Sequence, residues 1–254
     1  MLSQNAKDQF EKLNLELPAI AIKFRYNAPE GVEHTEEVLS FCQFARLAQD
    51  TGKHFYIDKD NDNCCGKYAL GMEPKPGSMA AGEAGPALGV FRSQAANAKL
   101  HNSYPTPVLG SIRYVEFCPV ADCDFDPDLI FCVANIEQTD IIFRASSYIS
   151  GDLWESRTSC VMSCAWTYSY PYLSGKMNFS TTGLHHGMRT RHVYPAGLHT
   201  ITIPFNKIDE MVEAMEEMPW ELPALSSDPE VRAKANEALK KLSDSSDGEF
   251  NLKA

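Results

Sequence analysis

The sequence contains no run of about 18 uncharged apolar residues, which is the length that a membrane-spanning helix requires. Its first residues have no basic region followed by an apolar core, so the pattern of a signal peptide is also missing. Basic residues are few, because 23 lysines and arginines face 34 aspartates and glutamates for a formal net charge of −11. Such a field repels phosphate backbones and anionic lipid, so we expect neither nucleic acid nor a membrane surface as a partner. We predict a cytoplasmic protein.

The short motifs of the best-known metal and phosphate sites are missing too. No Cys-x2-Cys pair occurs, which excludes a zinc ribbon and a ferredoxin-type run. Cys160 and Cys164 have the spacing that begins a radical-cluster motif, but Thr167 stands where the third cysteine would be. The segment from 71 to 110 is rich in glycine but does not end in Gly-Lys-Ser/Thr, so it is not a phosphate loop. Any cofactor site must therefore be assembled from separate parts of the chain.

What the chain does have is eight cysteines among 254 residues. In a reducing cytosol, thiols in this number are buried core residues, metal ligands or reactive groups rather than disulfides. Cys42 falls on the apolar side of a predicted helix, and Cys64 and Cys65 follow in a loop. Cysteines on this helix and in the loop that follows it favour a metal or redox site.

Hydrophobic periodicity predicts a mixed α/β protein. Val38, Cys42, Ala45 and Gln49 share one face of a helix that Thr35 would cap. The run Leu129–Ala134 is apolar on both faces, which predicts a central strand and makes Cys132 a core thiol. The other predicted strands cover 19–24, 114–119, 177–180 and 199–205, and the other long helices cover 137–150, 206–218 and a stretch from 228 onwards.

These elements predict one domain over residues 1–222, followed by a linker, an amphipathic helix and a loose tail over 223–254. The two halves of the domain can be compared as a pseudo-repeat of 17–71 with 127–180. In that comparison the helix 36–50 matches the helix 137–150, and Cys64 matches Cys164. We therefore expect Cys64 and Cys164 at the same end of the sheet.

Distant loops can together supply the four thiolates of a [4Fe–4S] cluster. Cys42, Cys64, Cys160 and Cys164 are the predicted ligands, with Cys65 in reserve, and a helical segment would stack Cys160 and Cys164 on one face. The alternative is that Cys42 and Cys160 are simply small core residues, because free cysteine is among the most buried residue types.

Three further residues are candidates for contact with a cofactor or substrate. Trp166 begins an aromatic stretch that ends at Tyr172 and would form one wall of a binding site. His185 would supply a ligand or a proton, or would be an inert loop histidine. The planar guanidinium of Arg189 would hold a carboxylate or phosphate, or would cap a helix end.

Several short motifs, in a fixed order, resemble those of a known family. They are Leu17–Phe24, the Cys42 helix, Cys-x-Gly before Leu70-Gly71, Ala81–Glu83, Pro127–Leu129, Asn135-x-x-Gln138, Tyr148-x-x-Gly151, Gly187-x-Arg189 and Ile201–Pro204. Over most of residues 17–218 the chain is similar to the domain-of-unknown-function family 169 of anaerobic bacteria and archaea. The chain departs from the family pattern in its Cys64-Cys65 doublet and in Thr182–Leu184, which lacks a cysteine. The resemblance implies a shared fold and no established reaction.

Three functions are compatible with these residues. The first is an iron–sulfur or other thiolate-bound metal protein with a redox or cluster-assisted enzymatic role in anaerobic metabolism. The second is a small-molecule binding module without metal, and the third is an enzyme that uses Cys64 or Cys65 as nucleophile. We expect a small-molecule substrate or an electron-transfer partner, and a homo-oligomer is compatible with the sequence.

Overall fold

A single sheet forms the centre of the protein, and the computed structural model describes residues 1–244. The strands are β1 (Ile20–Arg25), β2 (Glu33–His34), β3 (Phe55–Ile57), β4 (Tyr114–Pro119), β5 (Leu129–Ala134), β6 (Asn178–Thr181) and β7 (His199–Pro204). Their order is β2-β3-β4-β1-β5-β7-β6, and neighbours are antiparallel apart from the parallel pair β2 and β3. Every residue of β5 is buried, and β5 lies between β1 and β7. The predictions of a mixed α/β fold and of a central Leu129–Ala134 strand are confirmed.

Helices cover both faces of this sheet. They are α1 (Gln4–Lys12), α2 (Cys42–Thr51), α3 (Gly66–Ala69), α4 (Gly77–Ala80), α5 (Ala84–Ala87), α6 (Gln94–His101), α7 (Ile136–Ser147), a π-helical turn (Ala165–Ser169) that continues into α8 (Tyr170–Ser174), α9 (His186–Thr190), α10 (Ile208–Glu217) and α11 (Pro229–Asp244). None of the helices described up to residue 244 is long and apolar enough to cross a membrane. The amphipathic helix predicted near the end is present as α11, whereas residues 245–254 of the predicted loose tail lie outside the described residues.

Two apolar clusters divide the core between the faces of the sheet. On the back face, α1, α7 and α10 pack their apolar residues against the alternate positions Ala21, Ile130 and Ile201 of the strands. On the front face, α2 and the π-helical turn pack against Ile22 and Phe131. Alternation of side chains across a strand assigns these residues to opposite faces. The front face carries the cavity described in the next subsection.

The helix predicted to start after Thr35 begins only at Cys42. The side-chain amide of Asn61 donates hydrogen bonds of 2.9 Å to the carbonyl groups of Thr35 and Glu37. The segment before Cys42 is thereby held extended alongside β3, and Val38, predicted to be buried, is 54% exposed. Strands β2 and β3 were not predicted, because their stability comes from pairing with distant segments rather than from a local apolar pattern.

The strands of the two halves follow the same plan. β1 pairs with β4 and β4 with β3, just as β5 pairs with β7 and β7 with β6. β1 and β5 are neighbours, and their pairing is symmetric about Ala21 and Ile130. An approximate twofold axis through this pair and perpendicular to the sheet would relate the two halves.

This plan matches helices differently from the sequence comparison. α7 packs on the back face, whereas α2 and the helix that contains the π-helical turn both pack on the front face. Both front-face helices end at a left-handed glycine, Gly52 and Gly175, and both have a cysteine in the first turn, Cys42 and Cys164. The equivalent of Cys164 in this plan is therefore Cys42 and not Cys64. Duplication of an ancestral half stays a prediction.

Candidate functional site

A cavity of about 710 Å³ opens on the front face of the sheet, and four cysteines contribute to its wall. We call it the thiol pocket and define it by Cys42, Cys64, Cys65 and Cys164. The remaining wall comes from the glycine-rich segment, including Met79, Leu88, Val90 and Phe91, and from Val161–Ser163, His186 and Arg191. Three of the four predicted metal ligands therefore line one cavity, together with the reserve residue Cys65.

Asp62 ties the cysteine loop to the start of α2. Its buried carboxylate accepts N–H hydrogen bonds from Phe41 (3.0 Å), Cys64 (3.1 Å) and Lys67 (2.8 Å). The backbone on both sides of Cys65 is thus fixed relative to Cys42. Because charge-assisted hydrogen bonds are stronger than neutral ones, one side chain orders three thiols.

Gly66 allows the loop to approach α2 this closely. A Cβ atom at Gly66 would lie 2.2 Å from Cβ of Phe41, which is far inside van der Waals contact. The Phe41 ring is fully buried and packs edge-on against Tyr168 at 5.2 Å between centroids. Glycine at position 66 is therefore a packing requirement of the thiol pocket.

Unusual backbone conformations position Cys164. Met162 has a left-handed φ of 59° although it is not glycine, and such residues are uncommon outside sites that need them. Cys164 then precedes the π-helical turn Ala165–Ser169. π-helical turns are rare and occur frequently at functional sites. Strain and irregular helix geometry therefore coincide at the wall of the cavity.

The glycine-rich segment forms the opposite wall by folding into α4, α5 and α6. Gly85 packs against the side chain of Asn97, where a Cβ would lie 2.5 Å from Asn97 Cβ. The Asn97 amide donates a 3.0 Å hydrogen bond to the carbonyl of Gly82. Small residues let these short helices lie close together and cover the thiols.

Cys64 is the thiol with the most polar surroundings. Its Sγ lies 3.7 Å from Sγ of Cys65 and accepts a hydrogen bond of 3.5 Å from Nη2 of Arg191. The hydrogen bond from the Cys65 thiol and the positive charge of Arg191 lower the pKa of Cys64 to about 6, against the opposing effect of burial. Cys64 is therefore largely a thiolate at neutral pH.

The other thiols of the cavity keep their protons. Burial raises the pKa of Cys42 to about 11 and the pKa of Cys164 well above the ordinary value. The pKa of Cys65 is also raised, first because its proton is held in the hydrogen bond to Cys64 and second by burial. One negative charge is thus concentrated on Cys64, and the protonated thiol of Cys65 donates to it.

Three buried polar groups near the thiols have no hydrogen-bond partner within residues 1–244. They are Nδ1 of His101, which lines the thiol pocket, and the hydroxyls of Tyr104 and Tyr168. Burial raises the pKa of Tyr104, and the neighbouring Cys65 and Cys164 add to that increase. The ammonium of Lys75 lies 4.3 Å above the Tyr104 ring. Because buried polar groups are nearly always paired, His101 is available to a ligand.

Cys160 lies apart from the four thiols of the pocket. It is exposed, and its carbonyl accepts a 2.8 Å hydrogen bond from the N–H of His186. The prediction that Cys160 and Cys164 stack on one helix face is wrong, because the left-handed Met162 separates the two residues. Within residues 1–244, no group of three or more His, Cys, Asp or Glu side chains is arranged to hold a metal ion.

The three predicted contact residues lie outside the lining of the thiol pocket. Trp166 is buried and donates a 2.8 Å hydrogen bond to Ser159. His185 is buried with Nε2 at 2.7 Å from Oγ1 of Thr158, and burial lowers its pKa to about 4, so it is neutral. Arg189 lines a neighbouring groove.

Sequence reasoning missed the importance of Arg191, Asp62 and His101. Arg191 stands two residues after Arg189 in the same segment, and no local pattern distinguishes their roles. The alternating carboxylates around Asp62 could have indicated its role, because Asp side chains often accept hydrogen bonds from nearby backbone amides.

Comparison with known proteins identifies the family and goes no further. No curated protein and no solved structure matches the chain significantly. The model of family DUF169, described as "Uncharacterised ArCR", matches residues 10–214, which is more than half of the chain. The match contains β1 to β7, all four cysteines of the thiol pocket and Arg191. The chain therefore belongs to the DUF169 family.

Proposed function

We propose that this protein is a thiol enzyme in which Cys64 attacks an electrophilic carbon of a small molecule held in the thiol pocket. One observation carries the proposal: the Cys64 sulfur lines a cavity of about 710 Å³ and is hydrogen-bonded by both Arg191 and Cys65. A cationic partner and a hydrogen-bond donor are the surroundings that favour a reactive thiolate.

The reaction step uses the electron pair of the Cys64 thiolate. A carbon–sulfur bond forms, and the pair of the broken bond passes either to a leaving group or to a carbonyl oxygen of the substrate. Arg191 and Cys65 stabilise the thiolate before the attack. The Arg191 guanidinium has five N–H donors, so it can also pair with an anion of the substrate.

The cavity dimensions and lining suit a small organic molecule. Its volume falls in the range of about 300–1,000 Å³ that is typical of small-molecule sites. Leu88, Val90 and Phe91 offer apolar surface, while His101 offers an unpaired ring nitrogen. A few polar groups in an apolar cavity fix the orientation of a ligand.

Alkylation with iodoacetamide at pH 7, mapped by mass spectrometry of peptides, tests the proposal. We expect Cys64 to be modified first, ahead of the exposed Cys160, which is the internal reference for an accessible thiol. Cys42, Cys65 and Cys164 should react slowly because they are protonated. Modification of Cys160 ahead of Cys64 would refute the reactive-thiolate proposal.

A thiolate-bound metal centre, such as a [4Fe–4S] cluster with a redox role in anaerobic metabolism, is the second candidate. The observation that favours it is the presence of four cysteines around one cavity, with Cys65 in the place predicted for Cys160. Protein purified without oxygen would be brown, with broad absorbance near 400 nm, and would contain iron. Colourless, iron-free protein that still shows rapid Cys64 alkylation would leave the thiol enzyme as the function.

A further inference from the structure

A second cavity adjoins the thiol pocket, and several arginine side chains line it. It has a volume of about 1110 Å³ and lies between α2 and the segment that follows α9. We call it the arginine groove and define it by Arg46, Arg189, Arg191 and His192. In a chain with a formal net charge of −11, three arginines in one groove are unexpected from composition alone.

The protein neutralises the arginine groove only in part. Arg46 pairs with Asp50 at 2.8 Å, and Asp50 is the carboxylate among the residues that line the groove. Arg189 and Arg191 form no ion pair with any carboxylate of residues 1–244. The Arg189 guanidinium is therefore free to bind an oxyanion, and Arg191 has further N–H donors beside those that contact Cys64 and Gly187. The planar donor geometry of both groups suits an oxyanion.

Arg191 joins the two cavities. It lines both of them, donates through Nη2 to Cys64 at 3.5 Å and through Nη1 to the carbonyl of Gly187 at 3.3 Å. A molecule with its anionic group at Arg189 and Arg191 would therefore extend towards the Cys64 sulfur. The apolar wall at Leu88 and Phe91 would receive the rest of the molecule.

We propose that the substrate is an anionic small molecule whose carboxylate or phosphate group is bound in the arginine groove while Cys64 attacks its electrophilic carbon. This inference rests on the proposed function, because it names the substrate class of the same site. Binding at the groove would orient the electrophile and raise its local concentration next to the sulfur.

Two alkylating agents of similar size test the proposal. Iodoacetate carries a carboxylate and iodoacetamide a neutral amide, and with both the thiolate forms a carbon–sulfur bond as iodide leaves with its electron pair. The measured quantity is the rate with iodoacetate divided by the rate with iodoacetamide, both at Cys64. Any change in the thiolate fraction affects both rates equally and cancels in this ratio. We expect Arg189→Gln to lower this ratio about tenfold, as expected for the loss of a hydrogen bond to a charged group.

Matched variants and competing anions make the result specific. Arg189→Lys keeps the charge and should retain most of the preference for iodoacetate. Arg113→Gln removes an exposed arginine that lines neither cavity and should leave the ratio unchanged. Inorganic phosphate or acetate should slow iodoacetate in the wild-type protein, and the stronger competitor indicates whether the bound group is a phosphate or a carboxylate.

The outcomes separate this inference from the proposed function. An equal ratio in the wild-type protein and Arg189→Gln would overturn the anionic substrate. If iodoacetamide still modified Cys64 first, the thiol enzyme would stand without it. Slow reaction of Cys64 with both agents would overturn the proposed function itself.

Discussion

The two faces of the sheet carry cysteines in opposite surroundings. On the back face, Cys118 and Cys132 lie on central strands and are fully buried, and burial raises the pKa of each to about 12. On the front face, Cys64 borders a cavity and has Arg191 as a hydrogen-bond donor. The same side chain is a small apolar residue in the first case and a charged group in the second. The hydrogen bond from Cys65 and the charge of Arg191, rather than the cysteine itself, account for the difference.

The largest effect expected from this comparison is that of Cys64→Ser. Rapid alkylation at pH 7 should disappear. Without the hydrogen bond to Cys64, the pKa of Cys65 is still raised by burial and by the neighbouring Asp62 and Cys164, so Cys65 cannot substitute for Cys64. Cys118→Ser on the back face is the matched variant and should retain the rapid phase. The rate of iodoacetamide incorporation measures both. Retention of the rapid phase in Cys64→Ser would place the reactive thiol elsewhere.

Gly66→Ala should damage the front face most among substitutions that leave the thiols in place. The added Cβ would lie 2.2 Å from Cβ of Phe41, so the loop must move away from α2. We expect the free energy of unfolding to fall by about 3 kcal/mol, as for severe overpacking. Urea denaturation measures this change. Gly77→Ala is the control, because nothing lies within 4 Å of its added Cβ; equal losses in both variants would contradict the packing argument.

Arg191→Gln should bring the pKa of Cys64 closer to the pKa values of the back-face cysteines without removing a thiol. The pKa of Cys64 is lowered by the Cys65 hydrogen bond first and by the Arg191 charge in addition. Loss of that charge should raise the pH of half-maximal alkylation by roughly 1 unit, since a close opposite charge shifts a pKa by about that much or more. The pH profile of the rate measures the shift. An unchanged profile would show that the guanidinium does not act on the thiolate.

Cys132→Ala should have the smallest effect. Deleting a buried sulfur from β5 should lower the free energy of unfolding by about 1 kcal/mol. Urea denaturation measures this loss. Alkylation of Cys64 should be unaffected, because Cys132 lies on the opposite face of the sheet. A change in the Cys64 rate would show that the faces are coupled.

Much of the fold follows from local sequence patterns. The runs Tyr114–Pro119 and Leu129–Ala134 are strands with the predicted bounds. The first alternates as a strand does, and the second is apolar throughout because it is buried on both sides. Asn135 and Gln138 form the capping box that starts α7. β3 could not be predicted in the same way, because three residues are too few to show an alternating pattern. Its stability comes from pairing with β4.

The candidate site was predictable only in part. Cys42, Cys64 and Cys164 were chosen together, and all three line one cavity. Cys160 was included because helical spacing would have placed it beside Cys164, but the left-handed Met162 breaks that spacing. Arg191 and Cys64 are 127 residues apart in the sequence. Their contact could not be predicted from local sequence patterns.

The pH dependence of Cys64 alkylation in the wild-type protein tests the central claim most directly. The thiolate is the reacting form, so the rate should rise as Cys64 loses its proton and level off above that pH. The pKa of about 6 predicts a midpoint near pH 6 for Cys64. A midpoint near pH 9, the ordinary value for a cysteine thiol, would contradict the account, because Arg191 and Cys65 would then not stabilise a thiolate.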